Sequence, residues 1–214
     1  MKTQYDVCVV GGGAAGMAAA IAAAEGGNTV CIIDKNKKLG KKLYATGNGR
    51  CNLANTDMKD GHYHSSSETY QKFLHTCLGE QPLHEMSAFL HSIGVYTRCI
   101  DGYYYPISMQ ASAVVWALLD RIKALQVTTY LSETVTDIRV KKDGYHIQCN
   151  TEIIARKVMW WTIISIAWRL RGRRKTGREA RCKTGAAKTG FMCCYDRGKY
   201  RGGKRRSSGM FGMV

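Results

Sequence analysis

The sequence predicts an α/β fold that opens on a βαβ unit, on three observations. Residues 5–10, YDVCVV, are a β-branched apolar run that leads straight into the glycine-rich residues 11–16, GGGAAG. Residues 17–25 are alanine-rich and free of helix breakers. Residues 29–33, TVCII, form a second apolar run that closes on Asp34. Two short buried runs separated by a helical stretch read as parallel strands joined by a crossover helix.

The remaining elements follow in order. Gly26, Gly27 and Asn28 end the first helix, since glycine and asparagine tolerate the left-handed backbone that stops one. Residues 35–55, KNKKLGKKLYATGNGRCNLAN, form a long polar connection with neither helical nor strand period. A connection of this length inside a domain is functional or disordered. Helices are expected over residues 67–78 and 83–93, and short strands over 96–98 and 102–105. Residues 111–125 are the clearest amphipathic helix: Ala111, Val114, Val115, Leu118, Leu119, Ile122 and Leu125 recur at spacings of three and four. Residues 127–131, 134–141, 145–149 and 152–154 are β-rich and read as a meander, with Asp143-Gly144 as a hairpin turn.

Charge divides the chain in two. The net charge of the 214 residues is +16. Residues 1–154 hold 15 Lys+Arg against 14 Asp+Glu, whereas residues 155–214 hold 17 against 2. A nearly neutral body therefore carries a strongly basic tail. Apolar residues at 45% exclude a wholly disordered or collagenous chain. The nine cysteines form no Cys-x-x-Cys pair and have no zinc-finger spacing with histidine. Cys8 and Cys31 lie in apolar runs, where a free thiol acts as a small hydrophobe. A reducing, cytoplasmic compartment is expected. No signal peptide is expected at the N-terminus, and the apolar residues 158–170 fall short of the ~20 that a spanning helix needs. The histidines show no metal spacing beyond His62-x-His64, so no metal site is expected.

The motif with chemistry is Gly11-x-Gly13-x-x-Gly16 between the first strand and helix. Gly11 permits a tight turn, Gly13 lets backbone approach a pyrophosphate, and Gly16 lets helix and strand pack closely. The helix N-terminus offers unpaired N–H groups to phosphate. Asp34 falls 18 residues after Gly16, where a carboxylate accepts from ribose hydroxyls. With strand, helix, second strand and acid in place, a Rossmann-like dinucleotide-binding unit is favoured over a ligand-free glycine turn. An acid here disfavours NADP but leaves FAD and NAD open. Gly47 and Gly49 let the long connection approach a flat ring, and Lys41, Lys42 and Arg50 put positive charge near phosphates. A solvated basic loop is the alternative. Cys51 reads as a packed or loop-stabilising thiol, with a redox thiol the competing reading.

The run IIDKNKKLGKKLYATGNGRCNLAN, together with GGGAAGMAAA, the YYPIS segment at residues 104–108 and SETVTDI at residues 132–138, resembles the BaiN-like flavoproteins, also described as the aminoacetone oxidase family of FAD-binding enzymes. The resemblance covers residues 1–158. It implies an FAD/NAD(P)-type oxidoreductase with FAD across the βαβ unit, the TGNGRCN loop and the meander. On the matching positions it places Gly11, Gly13, Ala14, Ala15 and Gly16 at the pyrophosphate and Asp34 at the ribose, where glutamate is commoner. Lys35, Lys42, Thr46, Gly47, Gly49, Arg50, Cys51 and Asn52 would line the cofactor, and Val135 would meet the adenine through its backbone. It assigns no catalytic residue and no substrate; NAD(P)H is a candidate electron donor.

The tail has two readings. As a selected segment it is a polyanion-binding arm. The alternative is a shifted reading frame over residues 159–214, since the resembling family continues here with a strand, which begins at Lys157-Val158-Met159, then a Gly-Gly turn and a Ser-Tyr-Pro segment. Tryptophan has one codon, so Trp160-Trp161-Thr162 is TGG TGG ACN, and a one-base shift reads Gly-Gly. Residues 162–166 then permit Leu or Arg followed by Ser, Tyr and Pro. The expectation is an incomplete FAD-binding domain over residues 1–158 and a basic tail over 159–214, disordered over 169–214, with no specific nucleic-acid or membrane partner. The readings set against this are an NAD-binding dehydrogenase fragment and a nucleic-acid binder acting through the tail.

Overall fold

The computed structural model describes residues 3–57, 82–162 and 191–195. The expected helix over 67–78 and the residues from 163 on, apart from one short strand, lie outside them. The described residues form two compact units: residues 3–39 with 125–162 and 191–195, and residues 40–57 with 82–124.

The first unit is built on β1 (Thr3–Val10), α1 (Ala14–Glu25) and β2 (Val30–Asp34), the expected βαβ start. β1 and β2 are parallel, with Val7 opposite Val30 and Val10 opposite Ile33. The helix begins at Ala14 rather than at residue 17, with Gly13 as its N-cap. Its buried residues Gly16, Met17, Ala20 and Ile21 make one stripe, and it lies against β1, β2 and the later strand Glu152–Thr162.

β6 (Thr128–Leu131) corrects one expectation. It is no meander strand but the third parallel strand, pairing with β2 as Cys31 opposite Thr128 through Asp34 opposite Leu131. β7 (Asp137–Lys141), β8 (Gly144–Gln148) and β9 (Glu152–Thr162) are the meander. β7 begins later than the expected residue 134, since residues 132–136 form a loop tied to β2. β9 joins the strand expected over 152–154 and the one expected from residue 157 into a single element. It starts antiparallel to β8, as Gln148 opposite Glu152, and goes on parallel to β1, as Thr3 opposite Ile153 through Val10 opposite Trp160. The sheet order is thus β6-β2-β1-β9-β8-β7. β10 (Phe191–Tyr195) pairs antiparallel with the end of β9.

Val9 faces Gly16 of α1. Its strand neighbours on the other face, Cys8, Cys31 and Ile33, are buried with Ile138, Tyr145, Ile147, Ile153 and Val158. Helix and meander therefore cover opposite faces of the parallel strands. Cys8 and Cys31 are free, buried and side by side in register. A hydrogen bond to Cys31, aided by burial, pushes the Cys8 thiol well up, so it stays protonated as a core residue.

The second unit holds a 3-10 segment (Leu43–Gly49), β3 (Ala54–Asn55), α2 (Pro82–Ser92), β4 (Thr97–Ile100), β5 (Tyr103–Pro106) and α3 (Ala111–Ala124). The expected featureless connection is thus partly structured. β3, β5 and β4 form an antiparallel sheet in that order. α3 buries Ala111, Val114, Val115, Leu118 and Ile122, as its spacing predicts, and packs on the 3-10 segment.

Candidate functional site

Each unit carries part of the predicted site. In the first, β1 ends at Val10 and the chain turns at Gly11, whose φ of +108° lies where L side chains rarely go. The Gly11 N–H donates to the Ile33 carbonyl at 2.8 Å, holding the turn on the end of β2. A Cβ at Gly16 would overlap the Gly11 carbonyl oxygen and touch Val9. Gly16 is therefore required for the loop and helix to approach each other. Gly13 differs: a Cβ there meets nothing within 4 Å. Packing does not demand glycine at position 13, and the space beside it is open.

Helix α1 starts at this opening with no side-chain cap and no acid in its first turn. Its first intrahelical bond, Met17 N–H to Gly13 O at 2.9 Å, leaves the earlier N–H groups of Ala14, Ala15 and Gly16 without helical acceptors. Those donors and the positive end of the helix dipole suit a pyrophosphate.

Asp34 stands at the tip of β2, half-buried. Its Oδ2 accepts from the Gly12 N–H at 2.6 Å, and its Oδ1 accepts from the Asn36 backbone N–H at 2.7 Å and side-chain Nδ2 at 2.8 Å. Gly12 was not singled out by the motif, yet a Cβ there would overlap Leu39 and crowd Asp34. Leu39 and Asp34 thus close over the buried Gly12 and leave Gly13 facing outward. The Ser132 N–H donates to the Asn36 carbonyl at 3.0 Å and the Glu133 N–H to the Asp34 carbonyl at 3.1 Å. These bonds hold the loop containing Val135 beside the acid. Val135 itself is buried, and Lys35 is exposed.

The second unit carries the other predicted residues. Thr46 Oγ1 donates to the Leu43 carbonyl at 2.7 Å, and the Cys51 N–H to the Thr46 carbonyl at 3.1 Å. Between them Gly47, Asn48 and Gly49 take φ of +53°, +53° and +82°, and Cys51 takes +60°. Two of these four left-handed residues are not glycine, which marks the loop as held against local preference. A Cβ at Gly47 would come within 2.5 Å of the Asn52 N atom. Lys42, Gly49, Arg50 and Asn52 are exposed. The Arg50 guanidinium lies over the Tyr105 ring at 5.7 Å. Cys51 is buried, and burial pushes its thiol up. A protonated, packed thiol is what this geometry supports, in favour of the structural reading of Cys51 over the redox one.

Sequence reasoning did not single out the polar group at the tip of the β7–β8 hairpin. His146 is buried, with Nδ1 2.7 Å from Glu152 Oε1 and Nε2 3.0 Å from Asp143 Oδ1. It braces the meander.

The nucleotide half of a dinucleotide fits the first unit: open space at Gly13, uncapped N–H groups, and an acid at the strand tip. Fold and site together define a Rossmann-type dinucleotide-binding protein. The chain belongs to the HI0933-like family, matching the HI0933-like protein Rossmann domain over residues 5–171, and its cofactor is FAD. It is 35% identical over 144 residues to the 3-dehydro-bile acid delta(4,6)-reductase of Clostridium scindens, which is 66% of this chain and 34% of that protein. It is 27% identical over 152 residues to the ribosomal RNA dihydrouridine synthase of Escherichia coli, 69% of this chain and 36% of that protein. The chain thus spans about a third of the length of these curated relatives. The same fold occurs in THI4 of Thermovibrio ammonificans, with TM-score 0.51 and 18% identity over 72% of this chain and 56% of that one. It occurs also in a flavocytochrome c3 fumarate reductase, with TM-score 0.52 and 20% identity over 74% and 33%.

Proposed function

We propose that this chain carries the nucleotide-binding part of an FAD-dependent oxidoreductase of the BaiN-like branch and does not by itself turn over a substrate. The observation that carries the cofactor reading is the contrast between Gly16, which packing requires, and Gly13, which faces open space at the uncapped start of α1. When bound, the isoalloxazine ring supplies the hydride or electron chemistry. The protein's own residues bind and orient: Gly13 and the α1 N–H groups hold the pyrophosphate, and Asp34 the ribose. The similarity to a bile acid reductase supports the branch. A small organic molecule is the substrate class, NAD(P)H a candidate donor, and the cytoplasm the setting. The remaining predicted residues, Lys35, Lys42, Thr46, Gly47, Gly49, Arg50, Cys51, Asn52 and Val135, stand as cofactor-lining residues within the same proposal.

The test uses a chain in which the reading frame is restored. Gly13→Val puts a branched side chain into the space the pyrophosphate needs and abolishes flavin retention. Asp34→Ala weakens it by roughly 1.5–3 kcal/mol per lost charged hydrogen bond. Flavin absorbance at wild-type level in purified Gly13→Val overturns the assignment.

A further inference from the structure

The Asp34 carboxylate has little accepting capacity left for a ribose. A carboxylate offers about four lone-pair positions, two on each oxygen. Oδ1 already accepts from both the backbone N–H and the Nδ2 of Asn36, and Oδ2 accepts from the Gly12 N–H. One position remains, on Oδ2, whereas a ribose presents two adjacent hydroxyls. Aspartate also reaches one methylene less than glutamate, so its carboxylate stays closer to β2 and to the Gly12 amide.

Asn36 makes up the difference. Its amide orientation is set by its partner, since a carboxylate only accepts and the group facing Asp34 must be Nδ2. The side-chain oxygen therefore points away from Asp34, and no group among the described residues donates to it. Asn36 is half-buried, and its own carbonyl is held by the Ser132 N–H at 3.0 Å. The side chain is thus anchored at the backbone on both sides, with one acceptor free beside the acid. We propose that the ribose diol is divided between two residues: one hydroxyl donates to Asp34 Oδ2 and the other to Asn36 Oδ1. Asn36 is then both the positioning residue for Asp34 and a recognition residue in its own right. This rests on the dinucleotide reading above and deepens it.

The experiment titrates the full chain with ADP, 2′-deoxy-ADP and 3′-deoxy-ADP by ligand-observed NMR, which needs little protein. Wild type loses affinity on removal of either hydroxyl. Asn36→Ala binds ADP about three- to tenfold more weakly, the loss of one hydrogen bond, and no longer distinguishes ADP from one of the two deoxy analogues. That ratio is taken within one preparation, so a smaller folded fraction cancels. Unchanged ratios in Asn36→Ala overturn the division of the diol and leave the FAD reading standing. A wild-type chain that binds neither ADP nor FAD overturns that reading and this proposal together.

Discussion

At the scale of single residues, the molecule separates positions that look alike in the motif. Gly12, Gly13 and Gly16 differ in what glycine does there: at Gly12 Leu39 and Asp34 close over the backbone, at Gly16 the Gly11 carbonyl does, and at Gly13 packing demands no glycine and the space is open. The polar group at the hairpin tip has a pH consequence. The hydrogen bond from His146 holds the Asp143 carboxyl below its ordinary value of 3.8. A depressed folded pKa adds stability that is present above the unfolded value and is lost as pH falls through the folded one. Denaturant midpoints should therefore drop below pH 3.8 in wild type, and Asp143→Asn should flatten that acid limb. A limb of unchanged steepness in the variant would show that Asp143 is not its source. The spacing of residues 143 and 146 was visible in the sequence. The third member, Glu152, comes from the next strand and became visible only through the register of β8 and β9.

At the scale of elements, the first helix and strands were legible because local pattern and tertiary role agree. The centres of YDVCVV and TVCII, residues 7–9 and 30–33, are buried on both faces, so they read as continuous apolar runs. The long helix α3 was legible to within a residue, since its buried positions recur at three and four. β6 was misassigned for a physical reason: TTYL is short and mostly exposed, and its parallel partner β2 lies almost a hundred residues earlier. Short strands carry no mark of which neighbour they will take. β9 was expected as two strands, at 152–154 and from 157, and is one because β1 pairs along residues 153–160 while the other edge passes from β8 to β10. Ile153, where the strand pairs with both Ile147 and Thr3, is wholly buried. Ile153→Ala should cost roughly 2–5 kcal/mol in urea unfolding, whereas Val140→Ala, at a position 37% exposed, should stay within about 0.5 kcal/mol. Equal losses at the two positions would contradict the placement of β9 in the core.

At the scale of the whole molecule, the distribution of charge and the reading frame make one prediction. The basic residues 159–214 lie mostly outside the described residues; of residues 169–214, expected to be disordered, only 191–195 are described, and they form β10 against β9, contrary to that expectation. Sequencing the DNA across codons 159–162 should show that a one-base shift opens a continuous frame with Gly-Gly and Ser-Tyr-Pro. Stop codons soon afterwards in every frame would defeat this, as would a soluble yellow 214-residue protein that turns over a substrate. Among the described residues no helix is long and apolar enough to cross a membrane.

The sequence by itself determined the βαβ start, the glycine loop, the acid after β2 and the amphipathic helix. Each is a local matter of burial period, backbone freedom or spacing along one stretch of chain. Tertiary structure alone decided that residues 128–131 join the parallel strands, that β9 serves both meander and central sheet, and that Gly12, Leu39 and Asn36 shape the surroundings of Asp34. Those outcomes depend on contacts between residues far apart in the chain or on the direction a side-chain amide must face. Such relations have no period to betray them, and they exist only once the backbone has brought the partners together.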